Sequence, residues 1–249
     1  MAFFEVQCKS EALGKQVRVN VVIPGDRQKN TDEIPVVWLL HGLTDDESMW
    51  ARRTSVERYA ERHGFAVVMP NGDRSWYLNQ PVGRYEDYIG DELPALMRGY
   101  FPYLSDKRED NLIAGLSMGG YGALHTALKR PGRYGAVACF SGAFGVTAPD
   151  WANLLKKEGV IAGDPAETDA DVYALAKAAK DASDKFPFYL SCGTEDALLG
   201  FTRKMRDTLT SAGFPVSYSE TAGGHEWDFW DREIRRALDW WADLRKETK

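Results

Sequence analysis

Hydrophobic residues follow two different patterns along this chain. Residues 3–8 and 16–23 are predicted as two short strands, and the second contains the alternation VRVNVVI that is typical of a sheet with one partly exposed face. Further along, short apolar runs lack alternation, which indicates strands buried on both faces, as in a parallel sheet. These runs are VVWLLHG, FAVVMPNG, NLIAGLS, AVACFSG and FYLSCGT, and a last strand, VSYSET, follows them.

Stretches with helical periodicity separate the apolar runs. They cover residues 53–63, 87–100, 118–130 and 199–212, and a closing helix is predicted over 227–246. Each lies where a right-handed crossover between parallel strands requires a helix. The order of elements therefore predicts an α/β fold, a three-layer sandwich with a mostly parallel central sheet.

Residues 146–184 do not fit this alternation. They carry two helical patterns, at 151–158 and 169–180, between strands that should be neighbours. We interpret the chain as a single domain over 1–249 with a partial cap inserted over the carboxyl edge of the sheet, where ligands bind in such folds. The cap either lines an acyl or alcohol pocket or is a surface excursion without substrate contact, and the sequence leaves both open.

Composition and charge exclude some classes of binding partner. A net charge of -6 and a pI near 5.4 offer no basic patch for a nucleic-acid backbone. No stretch is apolar over the length that crosses a bilayer, and the start lacks the pattern of a secretory signal, so we expect a cytoplasmic protein without membrane contact. Cys139 and Cys192 lie in apolar runs and are expected in the core. The oligomeric state stays open, a homo-oligomer included.

The strongest chemical signal is the motif Gly115-Leu116-Ser117-Met118-Gly119, which lies directly between an apolar run and a helical pattern. A sharp turn between strand and helix lifts a serine above the sheet, and flanking glycines let the two backbones pass closely. The amino terminus of the helix favours a developing oxyanion. This context predicts Ser117 as a nucleophile.

A serine nucleophile needs a base, and in a fold of this kind the base comes late in the chain. His225 alone follows the last strand, whereas His41, His63 and His125 come too early and are expected to be structural. The orienting carboxylate should follow FYLSCGT, where Glu195 and Asp196 are adjacent. We favour Asp196, because one more residue gives the turn room to point a carboxylate at the imidazole. Glu195 is then a solvated or loop-bracing charge.

An oxyanion hole would combine two backbone amides. One belongs to Met118, the residue after the nucleophile, and the other to the loop after the third strand. In the run HGL, Gly42 permits an unusual turn and Leu43 can present its amide. Taken alone, HGL is a weak signal.

Five motifs read together resemble the esterase D family of α/β-hydrolases. They are HGLTDDESMW, NGDRSWYLNQ, GLSMGGYGAL, CGTEDALL and GGHEWDFW. The chain is most similar to the bacterial tributyrin-esterase branch, and more distantly to S-formylglutathione hydrolases, feruloyl esterases and mycolyltransferases. The resemblance implies the same triad, Ser117, Asp196 and His225, with Leu43 and Met118 as oxyanion donors. It also implies short-chain acyl esters, acetylated sugars among them, as substrates.

Aromatic residues are candidates for pocket walls. Trp76 and Tyr77 follow the fourth strand, and the resemblance places them near the pocket, where they either wall a substrate group or anchor a packed loop. The tryptophans of the closing helix have helical spacing, which favours core packing. They are Trp227, Trp230, Trp240 and Trp241.

These residues predict a serine carboxylesterase that forms an acyl-enzyme and takes a small-molecule ester as its partner. The sequence contains no HExxH, no CxxC pair and no dinucleotide fingerprint, so neither a cofactor nor a metal is expected. Three alternatives remain open: a thioesterase of the S-formylglutathione hydrolase type, an acyltransferase, and a non-catalytic binding module on the same fold.

Overall fold

The computed structural model describes residues 1–25, 33–81, 83–161, 165 and 168–247. The predicted cap segment is thus described except for 162–164 and 166–167. The strands are β1 (Ala2–Ser10), β2 (Lys15–Ile23), β3 (Val36–Leu40), β4 (Ala66–Pro70), β5 (Asn79–Gln80), β6 (Gly83–Arg84), β7 (Asn111–Leu116), β8 (Ala136–Phe140), β9 (Phe188–Gly193) and β10 (Val216–Thr221). The α-helices are α1 (Met49–Arg53), α2 (Val56–His63), α3 (Tyr85–Asp87), α4 (Leu93–Tyr100), α5 (Met118–Lys129), α6 (Pro149–Lys157), α7 (Val172–Ala178), α8 (Leu199–Ser211) and α9 (Trp227–Glu247).

Eight strands form one sheet in the order β1-β2-β4-β3-β7-β8-β9-β10. The β1–β2 and β2–β4 pairs are antiparallel, and every pair from β4 to β10 is parallel. The strands β5 and β6 pair only with each other. All the residues of β3, β4, β7, β8 and β9 are buried, as the unbroken apolar runs predict.

Helices cover both faces of this sheet. Neighbouring residues of β3 point to opposite faces: Trp38 joins a core that includes residues of α4, α5, α7 and α8. Leu39 joins a second core that includes residues of α1, α2 and α9. The predicted three-layer sandwich with a mostly parallel sheet is confirmed.

Two predicted helices are interrupted. The helix expected over 53–63 is divided, because Thr54 has extended backbone angles and separates α1 from α2. The Thr54 side chain donates to the Trp50 carbonyl oxygen, and the Ser55 amide donates to Asp231. These two bonds pair side chains with backbone groups at the break in the helix. The helix expected over 87–100 contains a π-helical turn, Tyr88–Glu92. Within this turn, the side chain of Arg130 lies so close to Gly90 that it leaves no room for a Cβ.

Two further expectations concern the whole chain. Among the described residues, no helix has both the length and the apolar character that a bilayer crossing requires. The cysteines Cys8, Cys139 and Cys192 are buried and free, as expected for core residues. Burial raises the pKa of the Cys192 thiol to about 12, so this group stays protonated near neutral pH.

Candidate active site

The candidate residues lie at the carboxyl ends of neighbouring strands. Parallel pairing aligns Leu40 with Gly115, so the loop after β3 meets the turn after β7. Gly193 is aligned with Thr221, so the loops that carry Asp196 and His225 also leave the sheet side by side. A cavity of about 840 Å³ opens over these strand ends, and Ser117, Asp196 and His225 all line it.

Ser117 occupies the turn between β7 and α5. Its φ of 51° and ψ of -116° are unfavourable for a residue with a side chain. The turn is held by hydrogen bonds from the Ser117 amide to the Phe140 carbonyl oxygen (2.9 Å) and from the Ala143 amide to the Ser117 carbonyl oxygen (3.0 Å). A Cβ on Gly119 would lie 2.4 Å from the Leu40 carbonyl oxygen, so only glycine allows α5 to start this close to β3. This geometry is that of a nucleophile elbow.

Asp196 and His225 form a hydrogen-bonded pair. The Nδ1–H of His225 donates to Oδ2 of Asp196 at 2.8 Å, and the Leu198 amide donates to the other carboxylate oxygen at 2.8 Å. The Asp196 side chain is fully buried, whereas that of His225 is 37% exposed. Burial alone would raise the pKa of Asp196, but the hydrogen bonds from His225 and Leu198 outweigh it and lower this pKa. The carboxylate is therefore kept ionised beside the imidazole.

Glu195 is bonded to the loop that carries His225 and not to the imidazole itself. Its carboxylate accepts from the Gly223 amide at 2.5 Å and from the Thr194 hydroxyl at 2.9 Å. The Glu195 amide donates to the Gly223 carbonyl oxygen at 3.1 Å. Glu195 thus braces the loop that carries His225, which is one of the two roles the sequence left for it.

Ser117 and His225 line the same cavity, but their side chains are not hydrogen-bonded to each other. In hydrolases without substrate this contact is commonly long and closes only when substrate binds. The Nδ1–H of His225 is engaged by Asp196, so Nε2 is the ring atom left for proton transfer. The arrangement of the described residues leaves the imidazole free to serve as a base.

The two expected oxyanion donors line the cavity beside Ser117. The amides of Leu43 and Met118 donate no hydrogen bond to the described part of the chain, and Met118 is the first residue of α5. The loop that carries Leu43 is held by His41, whose Nδ1–H donates to the Gly42 carbonyl oxygen at 2.7 Å. The other nitrogen of His41 accepts from the Gly72 amide at 2.8 Å. Burial lowers the pKa of His41, which keeps this ring neutral and able to accept.

Tryptophans make up much of the cavity wall: Trp76, Trp151, Trp227 and Trp230. The core packing favoured by helical spacing is confirmed for Trp230, which is buried in the second core, and Trp227 packs against the same core. The sequence did not predict that both also line the cavity, where the amino-terminal end of α9 lies. Trp240 and Trp241 lie further along α9 and pack against Tyr189 and Phe65. Of the two roles considered for Tyr77, the structure contradicts the pocket wall and favours the anchor of a packed loop. Tyr77 is fully buried beneath the site, and its hydroxyl donates to the His41 carbonyl oxygen at 2.9 Å.

The helix α6 of the predicted cap contributes Trp151 and Leu154 to the cavity wall. The ring of Trp151 packs edge-on against Trp76, with centroids 5.5 Å apart, and is tilted against Phe201 at 5.9 Å. Of the two roles considered for this segment, the structure favours the one that lines the pocket.

The other histidines have structural partners. His63 is paired with Asp239 at 2.7 Å, and buried His125 is hydrogen-bonded to the Asp169 carbonyl oxygen at 3.0 Å. In the described part of the chain, one group of side chains has the donor types and spacing of a metal site, namely Glu86, His125 and Asp169. Lys129 bonds to Asp169, and Arg130 lies 3.2 Å from Glu86. Protein cations therefore already neutralise this group.

Comparisons with known proteins agree with this fold and identify the family. A sequence profile of the Esterase family matches residues 10–241. An acetyl esterase from Caldicellulosiruptor saccharolyticus is 30% identical over 265 residues, which cover 98% of this chain and 99% of the relative. The fluorophosphonate-binding serine hydrolase FphF of Staphylococcus aureus has a TM-score of 0.87 and 32% identity, covering 97% of this chain and 98% of that chain. The S-formylglutathione hydrolase FrmB of the same organism has a TM-score of 0.85, 33% identity and the same coverage.

Proposed function

The chain belongs to the Esterase family and is a serine hydrolase of carboxylic esters, and on this premise we propose that Ser117, His225 and Asp196 are its catalytic triad. The observation that carries the assignment is that a serine in a strained turn between strand and helix shares one cavity with a hydrogen-bonded histidine and aspartate. A positive φ is unfavourable for a serine, and strained residues of this kind cluster at active sites.

In the proposed reaction, Oγ of Ser117 attacks the ester carbonyl while Nε2 of His225 takes the hydroxyl proton. The ionised Asp196 stabilises the imidazolium and fixes its tautomer. His225 then protonates the leaving alkoxide, and water repeats the sequence in reverse to release the acid.

We propose that the amides of Leu43 and Met118 hold the oxyanion of each tetrahedral intermediate. Both line the cavity beside Ser117, and neither is used by another acceptor among the described residues. The loss of one such donor typically costs about 3 kcal/mol in the barrier. Because the His41 ring holds the Gly42 carbonyl of the peptide that precedes Leu43, and Tyr77 holds the peptide before that one, these residues would set the direction of the Leu43 amide.

The proposed substrates are short-chain acyl esters, acetylated sugars included. The relative from Caldicellulosiruptor saccharolyticus is named an acetyl esterase. The tryptophan-lined wall offers flat apolar surfaces on which an acyl group or a sugar ring can pack.

The charge of the cavity favours such esters over a glutathione thioester. The described lining residues include Asp45 and Glu226 but neither lysine nor arginine. Glutathione carries carboxylates that would meet these like charges without a cationic partner, which disfavours binding. The rival thioesterase activity on S-formylglutathione is therefore expected to be the weaker one.

The test is hydrolysis of p-nitrophenyl esters from acetate to octanoate by wild type and by Ser117→Ala, with S-formylglutathione as a parallel substrate. We expect turnover that falls steeply beyond butyrate, is abolished by Ser117→Ala, and exceeds turnover of S-formylglutathione. Activity that survives in the Ser117→Ala variant would refute the nucleophile. A preference for S-formylglutathione would refute the substrate class, and acyl transfer to an added alcohol in place of hydrolysis would favour the acyltransferase.

A cytoplasmic location remains part of the proposal. It is supported by three cysteines that are free and buried, as is usual for proteins kept in a reducing compartment. Fractionation of the source cells with detection by antibody would test it, and recovery outside the cytoplasm would contradict it.

A further inference from the structure

The imidazole of His225 depends on few contacts for its position. Its side chain is 37% exposed, and two glycines, Gly223 and Gly224, precede it in a loop that leaves β10. Gly223 has a φ of 141°, a conformation that few other residues adopt. One hydrogen bond to Asp196 fixes the ring nitrogen but leaves the ring free to tilt about it.

Trp230 supplies a second contact to this ring. The indole lies edge-on to the imidazole, with centroids 4.9 Å apart and ring planes at 90°. Trp230 is only 5% exposed, and its Nε1–H donates to the hydroxyl of Ser141 at 3.2 Å. The indole that touches His225 is thus itself anchored on the sheet.

Ser141 follows the strand that lies between those leading to Ser117 and Asp196. It follows β8, whose neighbours in the sheet are β7, which leads to Ser117, and β9, which leads to Asp196. Ser141 is fully buried and has a φ of 49°, an unfavourable conformation for a residue with a side chain. Its amide donates to the Ser191 carbonyl oxygen at 2.8 Å, which holds this turn.

The direction of the hydrogen bonds links these residues. Because the indole N–H donates to Ser141 Oγ, the Ser141 hydroxyl keeps its own proton for another acceptor. The Ser141 hydroxyl is one of the groups that lower the pKa of Asp196, behind His225 and the Leu198 amide.

We propose that Trp230 and Ser141 are positioning residues for His225, in which the indole contacts the imidazole and the Ser141 hydroxyl holds the indole. This unit runs from the Ser141 hydroxyl through the indole of Trp230 to the imidazole of His225. It limits the tilt of a half-exposed base toward Ser117, as outer hydrogen bonds do around other catalytic groups. This inference rests on the proposed triad.

The test is a double-mutant cycle with Trp230→Phe, Ser141→Ala and the double variant, assayed on p-nitrophenyl acetate. Trp230→Phe keeps an aromatic ring but removes the N–H, and Ser141→Ala removes the hydroxyl. The matched controls are Trp240→Phe, a tryptophan of the same helix away from the cavity, and Ser191→Ala, a buried hydroxyl of the adjacent strand that has no partner. Circular dichroism and melting temperature establish which variants fold.

We expect each single variant to lose about tenfold in kcat with KM changed less than about twofold, because phenylalanine keeps an apolar ring at the cavity wall and the removed polar groups act on the base. The double variant should be no worse than the poorer single variant, since both belong to one unit. The controls should retain wild-type kcat. In proton NMR spectra, the low-field Nδ1–H signal of His225 should shift or broaden in Trp230→Phe and not in Trp240→Phe.

Unchanged kcat in Trp230→Phe, losses that multiply in the double variant, or an effect on KM alone would overturn the proposal. If Ser141→Ala fails to fold, kcat and the NMR signal of Trp230→Phe decide. Failure of the proposed triad would give a different result, because the Ser117→Ala variant would then hydrolyse the ester as fast as wild type. Ser117-dependent hydrolysis that is unaffected in Trp230→Phe would remove only the positioning role.

Discussion

At the residue scale, Asp196 and Glu195 are adjacent carboxylates with different surroundings. Asp196 is buried and bonded to the imidazole, whereas Glu195 is exposed and bonded to the Gly223 amide. We expect Asp196→Asn to lower kcat by about 10³- to 10⁴-fold, because the amide cannot hold the same imidazole tautomer.

The matched variant, Glu195→Gln, should lower the melting temperature slightly and keep kcat within about threefold, since it loosens a loop and leaves the pair intact. Steady-state kinetics and thermal melts of both variants check this. A larger loss of kcat in Glu195→Gln than in Asp196→Asn would reverse the proposed roles.

At the element scale, the crossing of α5 over the end of β3 depends on Gly119. A Cβ at this position would lie 2.4 Å from the Leu40 carbonyl oxygen and 2.6 Å from that of His41, and backbone atoms cannot give way cheaply. We expect Gly119→Ala to lower both the free energy of unfolding and kcat, because the strain falls on the turn of Ser117 and on the loop of Leu43.

Gly99→Ala is the control for this prediction, since nothing lies within 4 Å of its Cβ position near the end of α4. It should be neutral or stabilise by up to about 1 kcal/mol, as is usual for alanine in a helix. Urea unfolding and ester hydrolysis measure both variants. A Gly119→Ala variant as stable and active as Gly99→Ala would contradict the close packing of the elbow.

At the scale of the whole molecule, the cap segment forms part of the cavity wall. Trp151 belongs to α6 but packs on Trp76, which follows β4. We expect Trp151→Ala to raise the ratio of kcat/KM for octanoate over acetate by about tenfold or more, because it lengthens the space for an acyl chain. Trp240→Ala removes an indole outside the cavity and should leave this ratio unchanged. An unchanged ratio in Trp151→Ala would return the cap to the role of a surface excursion.

Acid stability is also a property of the whole molecule, and His125 contributes to it. Burial lowers its pKa from 6.5 to about 4, against the opposing effect of Asp169. Between these pH values the unfolded chain binds a proton that the folded chain does not, so stability falls as the pH decreases, by up to about 1.4 kcal/mol per pH unit. Below about pH 4 both states bind the proton and this contribution stops changing.

The variant His125→Gln removes this titration but keeps an N–H that can donate to the Asp169 carbonyl oxygen. Its free energy of unfolding relative to wild type should therefore improve as the pH falls from 6.5 toward 4. Urea unfolding at a series of pH values measures the difference. Parallel curves for the two proteins would show that His125 does not titrate in this range.

The sequence predicted the strands and the order of elements well, because an unbroken apolar run is buried on both faces in any parallel sheet. It predicted the surroundings of Ser117 equally well, since the glycines of GLSMG favour the close passage of β7 and α5 that is observed. It missed the interruption at Thr54, which is stabilised by Asp231, a residue far away in the chain. It also missed Ser141, whose hydrogen-bond partners come from β9 and α9, two elements far apart in the chain.

What the sequence alone determined is the class of fold, the family, and which nucleophile, base and acid are available, because these depend on local pattern and on the order of motifs along the chain. Only the tertiary structure decided which aromatic side chains face the cavity. Trp230 and Tyr77 are both large aromatic residues, and the sequence does not tell them apart. Trp230 lines the cavity beside His225, whereas Tyr77 is fully buried. The physical reason is that side-chain direction depends on helix rotation and backbone angles, including the positive φ of Tyr77, and packing between distant segments sets both.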